Sequence, residues 1–411
     1  MHTSKRIPNN VYVSASLSVL LAILCAPPQC FSESEVLDHS IDLRGAVEDA
    51  DISPNGEYIA AAVRKCGMLG GSPTCAIDIE VWSTADSTQL ASRVLLTNVR
   101  EFAVAIRFSS DGQTLVIPDG LGKLCLWRMS NLAEIGSIDL GLKNEDMQDL
   151  QTRDIKEHAW MYERFPRMTP SAPRVLQIET SPSSPLVAIA IRVGGAEMIR
   201  VFDLTSGKLF QSWGFLDAAS DKGAPPLSWS KDGKRLAISL PSTRGLKHPE
   251  RTDPADLLIY DAVSGQLSAK FEAKKHVIFA GDNLIASTRR MPGTFFSPTL
   301  RLFDAKTEDT IQTISVEGTG VRDPIAASAD GKILLGFVGR VRKEMLWSDL
   351  VTYEVPVDAR IRLWEIPTGK LIFVSGDLHL IPLRASFRLN ATGNWIIGFD
   401  QGWRLLLLQL K

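Results

Sequence analysis

The chain has 411 residues, 45% hydrophobic and 22% charged, which is enough apolar material for two average domains or one large all-β domain. A net charge of -2 and a pI near 6.3 exclude a global basic field, and with it binding of nucleic acid through bulk charge. Beyond the first thirty-odd residues, no stretch is long and apolar enough to span a bilayer.

At the start of the chain, Lys5 and Arg6 precede the apolar run VYVSASLSVLLAILCA (11–26), which ends at Pro27-Pro28. The small residues Cys30 and Ser32 follow. Charged, apolar and small-residue regions in series predict a signal peptide over 1–32, cleaved before Glu33. The apolar run is shorter than the ~20 residues of a spanning helix, so the mature chain 33–411 is expected to be exported, periplasmic or extracellular. Next comes EVLDHSIDL, an alternating segment with no hairpin partner of its own.

Cys66 and Cys75 flank a Gly/Ser/Pro loop in RKCGMLGGSPTCAIDI, between two runs that read as strands. In an oxidising compartment they predict a disulfide across the neck of a hairpin. A metal pair competes, but no histidine or further cysteine lies nearby to complete four ligands. Cys125 sits alone in an apolar strand and reads as a small buried hydrophobe.

From here a unit repeats. Turn signals occur at 53–56 (SPNG), 109–112 (SSDG), 181–184 (SPSS), 230–233 (SKDG), 280–283 (AGDN), 328–331 (SADG) and 390–393 (NATG). Six of them are followed by a closing apolar-aromatic element: EVWS, CLWR, RVFD, LIYD, RLFD and RLWE; the last ends on RLLLLQL. Beyond the closing element a short turn such as LTSGK or IPTGK leads into another alternating run. Each unit therefore reads as four short strands, a to d, joined by turns whose Gly, Asp, Asn and Ser residues tolerate the required backbone angles. Seven such units predict an all-β, seven-bladed β-propeller of four-stranded antiparallel blades. The final unit supplies three strands, so segment 35–43 is expected to pair with 403–410 and close the ring, removing two open edges.

The units resemble WD repeats, with Phe202-Asp203, Tyr260-Asp261 and Phe303-Asp304 standing where that family has Trp-Asp. The resemblance covers nearly all of the mature chain and implies an interaction scaffold. No Gly-His dipeptide precedes a strand a, and only Asp119 stands where the family's hydrogen-bond-network Asp would be.

Extra length is distributed unevenly. From turn start to closing aromatic is 18 residues in 109–127, but 29 in 53–82, 30 in 230–260, 23 in 280–303 and 36 in 328–364. All of that excess falls between strands b and c. A further excess, between Trp127 and Ser181, falls between d and a; within it 143–168 reads as a helix. Its Trp160 lies off the apolar stripe and is expected to be free for a partner.

Strands alternate in direction, so b–c and d–a connections emerge on one face, and their chemistry is that of a recognition surface. Basic Arg289, Arg290 and Arg342 interleave with aromatic Phe296 and Trp347. We expect a protein partner to bind there, to a protein that is monomeric by preference and binds no nucleic acid. The usual catalytic signatures are absent: no G-x-S-x-G, no H-E-x-x-H, no Walker-type loop and no G-x-G-x-x-G after a strand. No cofactor or metal is expected. The competing expectation is a hydrolase or lactonase-type propeller with a metal or small ligand in its central channel, where Asp51, Glu179 and Asp323 could converge. Asn390-Ala-Thr392 is a sequon that matters only in a glycosylating host.

Overall fold

The computed structural model describes residues 36–69, 72–97, 104–119, 122–142, 174–193, 196–215, 227–240, 255–273, 277–287, 299–307, 309–316, 321–345, 352–375, 386–399 and 404–410. The expected signal segment 1–32 and the expected helix 143–168 lie outside them. Ser34–Lys411 form one compact unit.

The strands are β1 (Val36–Asp42); β2 (Ala46–Ile52), β3 (Tyr58–Leu69), β4 (Ser72–Ser83) and β5 (Gln89–Thr97) of blade one; and β6 (Arg107–Phe108), β7 (Thr114–Pro118), β8 (Lys123–Arg128) and β9 (Ala133–Asp139) of blade two. Blade three holds β10 (Arg174–Thr180), β11 (Leu186–Val193), β12 (Ala196–Asp203) and β13 (Leu209–Phe215). Blade four holds β14 (Leu227–Trp229), β15 (Arg235–Leu240), β16 (Ala255–Asp261) and β17 (Leu267–Ala273). In blade five are β18 (Val277–Ala280), β19 (Asn283–Ser287), β20 (Thr299–Asp304) and β21 (Thr310–Ser315). Blade six contains β22 (Val321–Ala327), β23 (Ile333–Met345), β24 (Thr352–Glu365) and β25 (Lys370–Val374). The last are β26 (Ser386–Leu389), β27 (Trp395–Phe399) and β28 (Arg404–Leu410).

They form seven four-stranded antiparallel sheets, a seven-bladed β-propeller. Six sheets are meanders in chain order; the seventh runs β1-β28-β27-β26, with β1 paired from Val36↔Leu410 to Asp42↔Arg404.

The core is seven apolar layers, one between each pair of adjacent blades. Ile79, Phe108 and Trp127 belong to the layer between blades one and two, and Ile52, Ile59, Trp395 and Leu407 to the layer between blades one and seven. This explains why inner strands read as continuous apolar runs: both faces of a blade meet a neighbour. In β8, Leu124 to Trp127 are all buried, whereas the outermost β9 is mostly exposed.

The repeating turn has a repeating chemistry. Ser53, Ser109, Ser230 and Ser328 are buried, and their hydroxyls accept the backbone N–H groups of Tyr58, Thr114, Arg235 and Ile333 at 2.9–3.0 Å. Each hydroxyl donates to the side chain two residues on, Asn55, Asp111, Asp232 and Asp330. The hydroxyl is thus donor and acceptor in one bend, which is what a buried polar group requires. In blade seven Asn390 takes this place: Oδ1 accepts Trp395 N–H at 3.0 Å, and Nδ2 donates to Thr392 and Asn394. The sequon asparagine is only 2% exposed and is therefore a structural turn residue.

The turn glycine must be glycine. Gly331 has φ +75°, a region L-residues avoid, and a Cβ there would stand 2.8 Å from the Gly281 nitrogen of blade five.

Candidate functional site

The turns between strands a and b gather at one end of the disc, around the mouth of the central channel. A cavity of about 390 Å³ opens there, lined by the later residues of the a strands and by turn residues such as Pro54, Ser110, Pro182 and Ala329. The b–c and d–a connections leave from the opposite end.

Two residues before the turn serine or its equivalent, each a strand of blades seven, one, two and three places a charged residue on the channel wall: Arg388, Asp51, Arg107 and Glu179. Facing them, blades four, five and six contribute Ser228, Ile278 and Ala326. Among the described residues the channel therefore has an ionic wall and a nearly uncharged one.

Arg107 is buried, and its Nη1 donates to Asp49 Oδ2 and to the Ile106 carbonyl, both at 2.6 Å. Its Nη2 lies 3.3 Å from Glu179 Oε1. The same Glu179 oxygen accepts from Arg388 Nη1 at 3.2 Å and from Gln177 Nε2 at 3.0 Å, so one carboxylate ties blade three to blades two and seven. Burial works against the Arg107 charge, but Asp49, Glu179 and Asp51 outweigh it and raise its pKa above the ordinary value. For Glu179 burial dominates over the pull of Arg107, and the pKa is raised.

Asp51 differs from the other acids. Its Oδ2 accepts the Phe108 backbone N–H at 2.9 Å, and it has no ion pair among the described residues. Burial pushes its pKa up to about 6, against the opposing field of Arg107. Asp323 belongs to β22, and its side chain lies outside the described set. Among the described residues, no three His, Cys, Asp or Glu side chains are grouped to hold a metal ion.

Side chain–backbone hydrogen bonds link neighbouring a strands along this wall. Asp49 and Asp51 of blade one accept N–H groups of Ile106 and Phe108 in blade two, and Thr180 of blade three donates to the Phe108 carbonyl at 2.7 Å. Trp229 Nε1 of blade four donates to the Glu179 carbonyl at 2.9 Å.

No protein-family model matches the chain, and no curated protein matches its sequence. The aromatic-Asp pairs nonetheless have a clear local role. Asp203, Asp261 and Asp304 cap their own c–d turns: Asp261 Oδ1 accepts Ser264 N–H at 2.7 Å, and Asp304 Oδ1 accepts Lys306 N–H at 2.7 Å. These backbone donors lower the pKa of Asp261 and Asp304. Asp119 accepts Lys123 N–H within its own hairpin turn.

At the opposite end, two of the length excesses are strands. β3 and β4 continue past the last rungs to their neighbours, Ala46↔Arg64 and Ala76↔Thr97, as far as Leu69↔Ser72. Cys66 and Cys75 face each other in this extension and are disulfide-bonded, as the spacing predicts. Closing so short a loop restricts the unfolded chain, worth about 2–3 kcal/mol in the loop-entropy model. Cys125 is buried, and burial pushes its thiol pKa up to about 11, consistent with a packing role.

In blade six, β23 and β24 pair from Arg340↔Val357 to Met345↔Thr352, beyond Val321↔Val338 and Arg362↔Val374. Arg342 stands in this extension, opposite Val355. Arg289, Arg290, Phe296, Trp347 and Trp160 lie outside the described residues. The sequence reading located Asp51 and Glu179 but missed Arg107 and Arg388. Their signal was positional: each stands two residues before its turn serine or asparagine, as Asp51 and Glu179 do.

Proposed function

We propose that this propeller is an exported, WD-repeat-like interaction module that binds a protein partner through the face bearing its b–c and d–a connections. The observation that carries the reading is the β23–β24 hairpin, which extends past its neighbours while bringing Arg340, Arg342 and Lys343 out from one end. The hydrogen-bonded turns at the other end support it: a scaffold held by buried turns leaves long connections free to serve recognition. Export, with a signal segment over 1–32, is supported by the Cys66–Cys75 bond. No helix among the described residues is long and apolar enough to cross a membrane. Ring closure through β1 is part of the proposal, supported by its ladder with β28.

The test replaces Arg289, Arg290, Phe296, Arg342 and Trp347 together with alanine and compares cross-linked partners from the native envelope with those of the unaltered chain. Partner recovery is expected to fall at least tenfold at an unchanged melting temperature, and recovery by the unaltered chain is expected to weaken with salt. Undiminished recovery by the folded variant rejects this face as the binding surface.

A further inference from the structure

We propose that the channel mouth binds a small organic ammonium ion, with the Asp51 carboxylate as counter-ion and the wall around Ile278 and Ala326 receiving its apolar part. This does not rest on the partner-binding reading, which concerns the opposite end.

The charges define the class of ligand. Among the described residues, three carboxylates (Asp49, Asp51 and Glu179) meet two guanidinium groups (Arg107 and Arg388), leaving one negative charge in excess. Geometry places that surplus on Asp51. Arg107 is committed to Asp49, to the Ile106 carbonyl and to Glu179, and Arg388 to Glu179. Asp51 receives a backbone N–H from Phe108, which leaves acceptor positions on its carboxylate. A cation completes the charge balance, as a buried carboxylate requires.

The uncharged wall and the volume narrow the class further. Ala326 and Ser228 are the small side chains of the ring, and they leave the space that makes a cavity of about 390 Å³. That suits a small molecule with a short apolar portion, not a polypeptide. An inorganic metal ion would gain nothing from Ile278 and Ala326.

The experiment titrates the mature chain at pH 7.5 with n-butylammonium chloride, using sodium butyrate and 1-butanol as matched controls, and reads heat and thermal stabilisation. Butylammonium is expected to bind and raise the melting temperature, and the two controls are not. Asp51→Asn keeps an acceptor for Phe108 N–H and should weaken butylammonium by about tenfold or more, since a charge-assisted bond is lost. Ala326→Leu keeps every charge and fills the opposite wall; it should weaken binding similarly, which settles the question should Asp51→Asn fail to fold. Lowering the pH to 5 should also weaken binding, as Asp51 takes up a proton beside Asp49, Arg107, Glu179 and Arg388. Equal responses to butylammonium, butyrate and 1-butanol overturn the proposal, and so does undiminished binding by either variant.

Discussion

The two ends of the disc follow different rules. At the a–b end, four turns repeat one hydrogen-bond pattern at Ser53, Ser109, Ser230 and Ser328, Asn390 reproduces it in blade seven, and the side chain held up to the channel differs from blade to blade. At the b–c end, the paired strands run from the short β7–β8 pair to the long β23–β24 pair. Regularity at one end fixes the blades in place; irregularity at the other changes the surface without disturbing them. The contrast separates what a repeat must keep, the bends that seat each blade on the next, from what it can spend on recognition.

Removing the strand that joins the first and last blades should break this contrast most severely. Deleting residues 33–44 takes away the ladder from Val36↔Leu410 to Asp42↔Arg404 and the buried Ile41 and Leu43. Two buried aliphatic side chains alone are worth about 3–6 kcal/mol, and β28 is left with an open edge. A sharp fall in melting temperature, or association through that edge in size-exclusion chromatography, is expected. An unchanged melt of a monomer would mean that the ring is sealed by the packing of blades one and seven without β1.

A single methyl group tests the regular end. Gly331→Ala forces an L-residue to φ +75° and drives its Cβ against the Gly281 backbone. The left-handed conformation costs about 1–2 kcal/mol and overpacking about 1–3, so chemical denaturation should show a loss of about 2–5 kcal/mol.

Acid titration should give the smallest effect. Asp51 has a folded pKa of about 6, above its ordinary value of 3.8, so between these values the folded chain binds the proton more tightly. Its charged form therefore opposes folding above pH 6, and the opposition is relieved as pH falls toward 4. Melting temperature should rise between pH 7.5 and pH 5, with Glu179 contributing in the same direction. Asp51→Asn should reduce that rise and be the more stable protein at pH 7.5. A wild-type melt that falls steadily over this range would show that Asp51 is stabilised as a carboxylate.

How much of this was legible in the sequence depended on the distance over which each feature is determined. Turn serines, the Cys66–Cys75 pairing and the order of strands are set by residues close together, so a local pattern reveals them. The β23–β24 extension is less legible, because charged residues occupy alternate positions of GRVRKEM and leave it without the apolar run that marks the other strands. The channel ring was only half visible. Asp51 and Glu179 stand out as acids near strand ends, but Arg107 and Arg388 gain meaning only when blades are stacked, because Arg388 meets Glu179 from a distant part of the chain. Blade five obscures the alignment further: its a–b turn is the tight Ala280↔Asn283 hairpin, without the serine or asparagine that marks the register in the other blades.

The pairing of β1 with β28 also sets a timetable. The earliest described strand to be synthesised finds its partner among the last, so Val36 has no ladder until Leu410 has been made. Until then an alternating edge-forming segment and a growing row of blades wait without their final contact, the long-range kind that slows folding and exposes strand edges to other chains. If export threads the chain across a membrane N-terminus first, β1 reaches the far side before the strand that will hold it. The propeller must then complete itself after translocation, in the compartment where its disulfide forms.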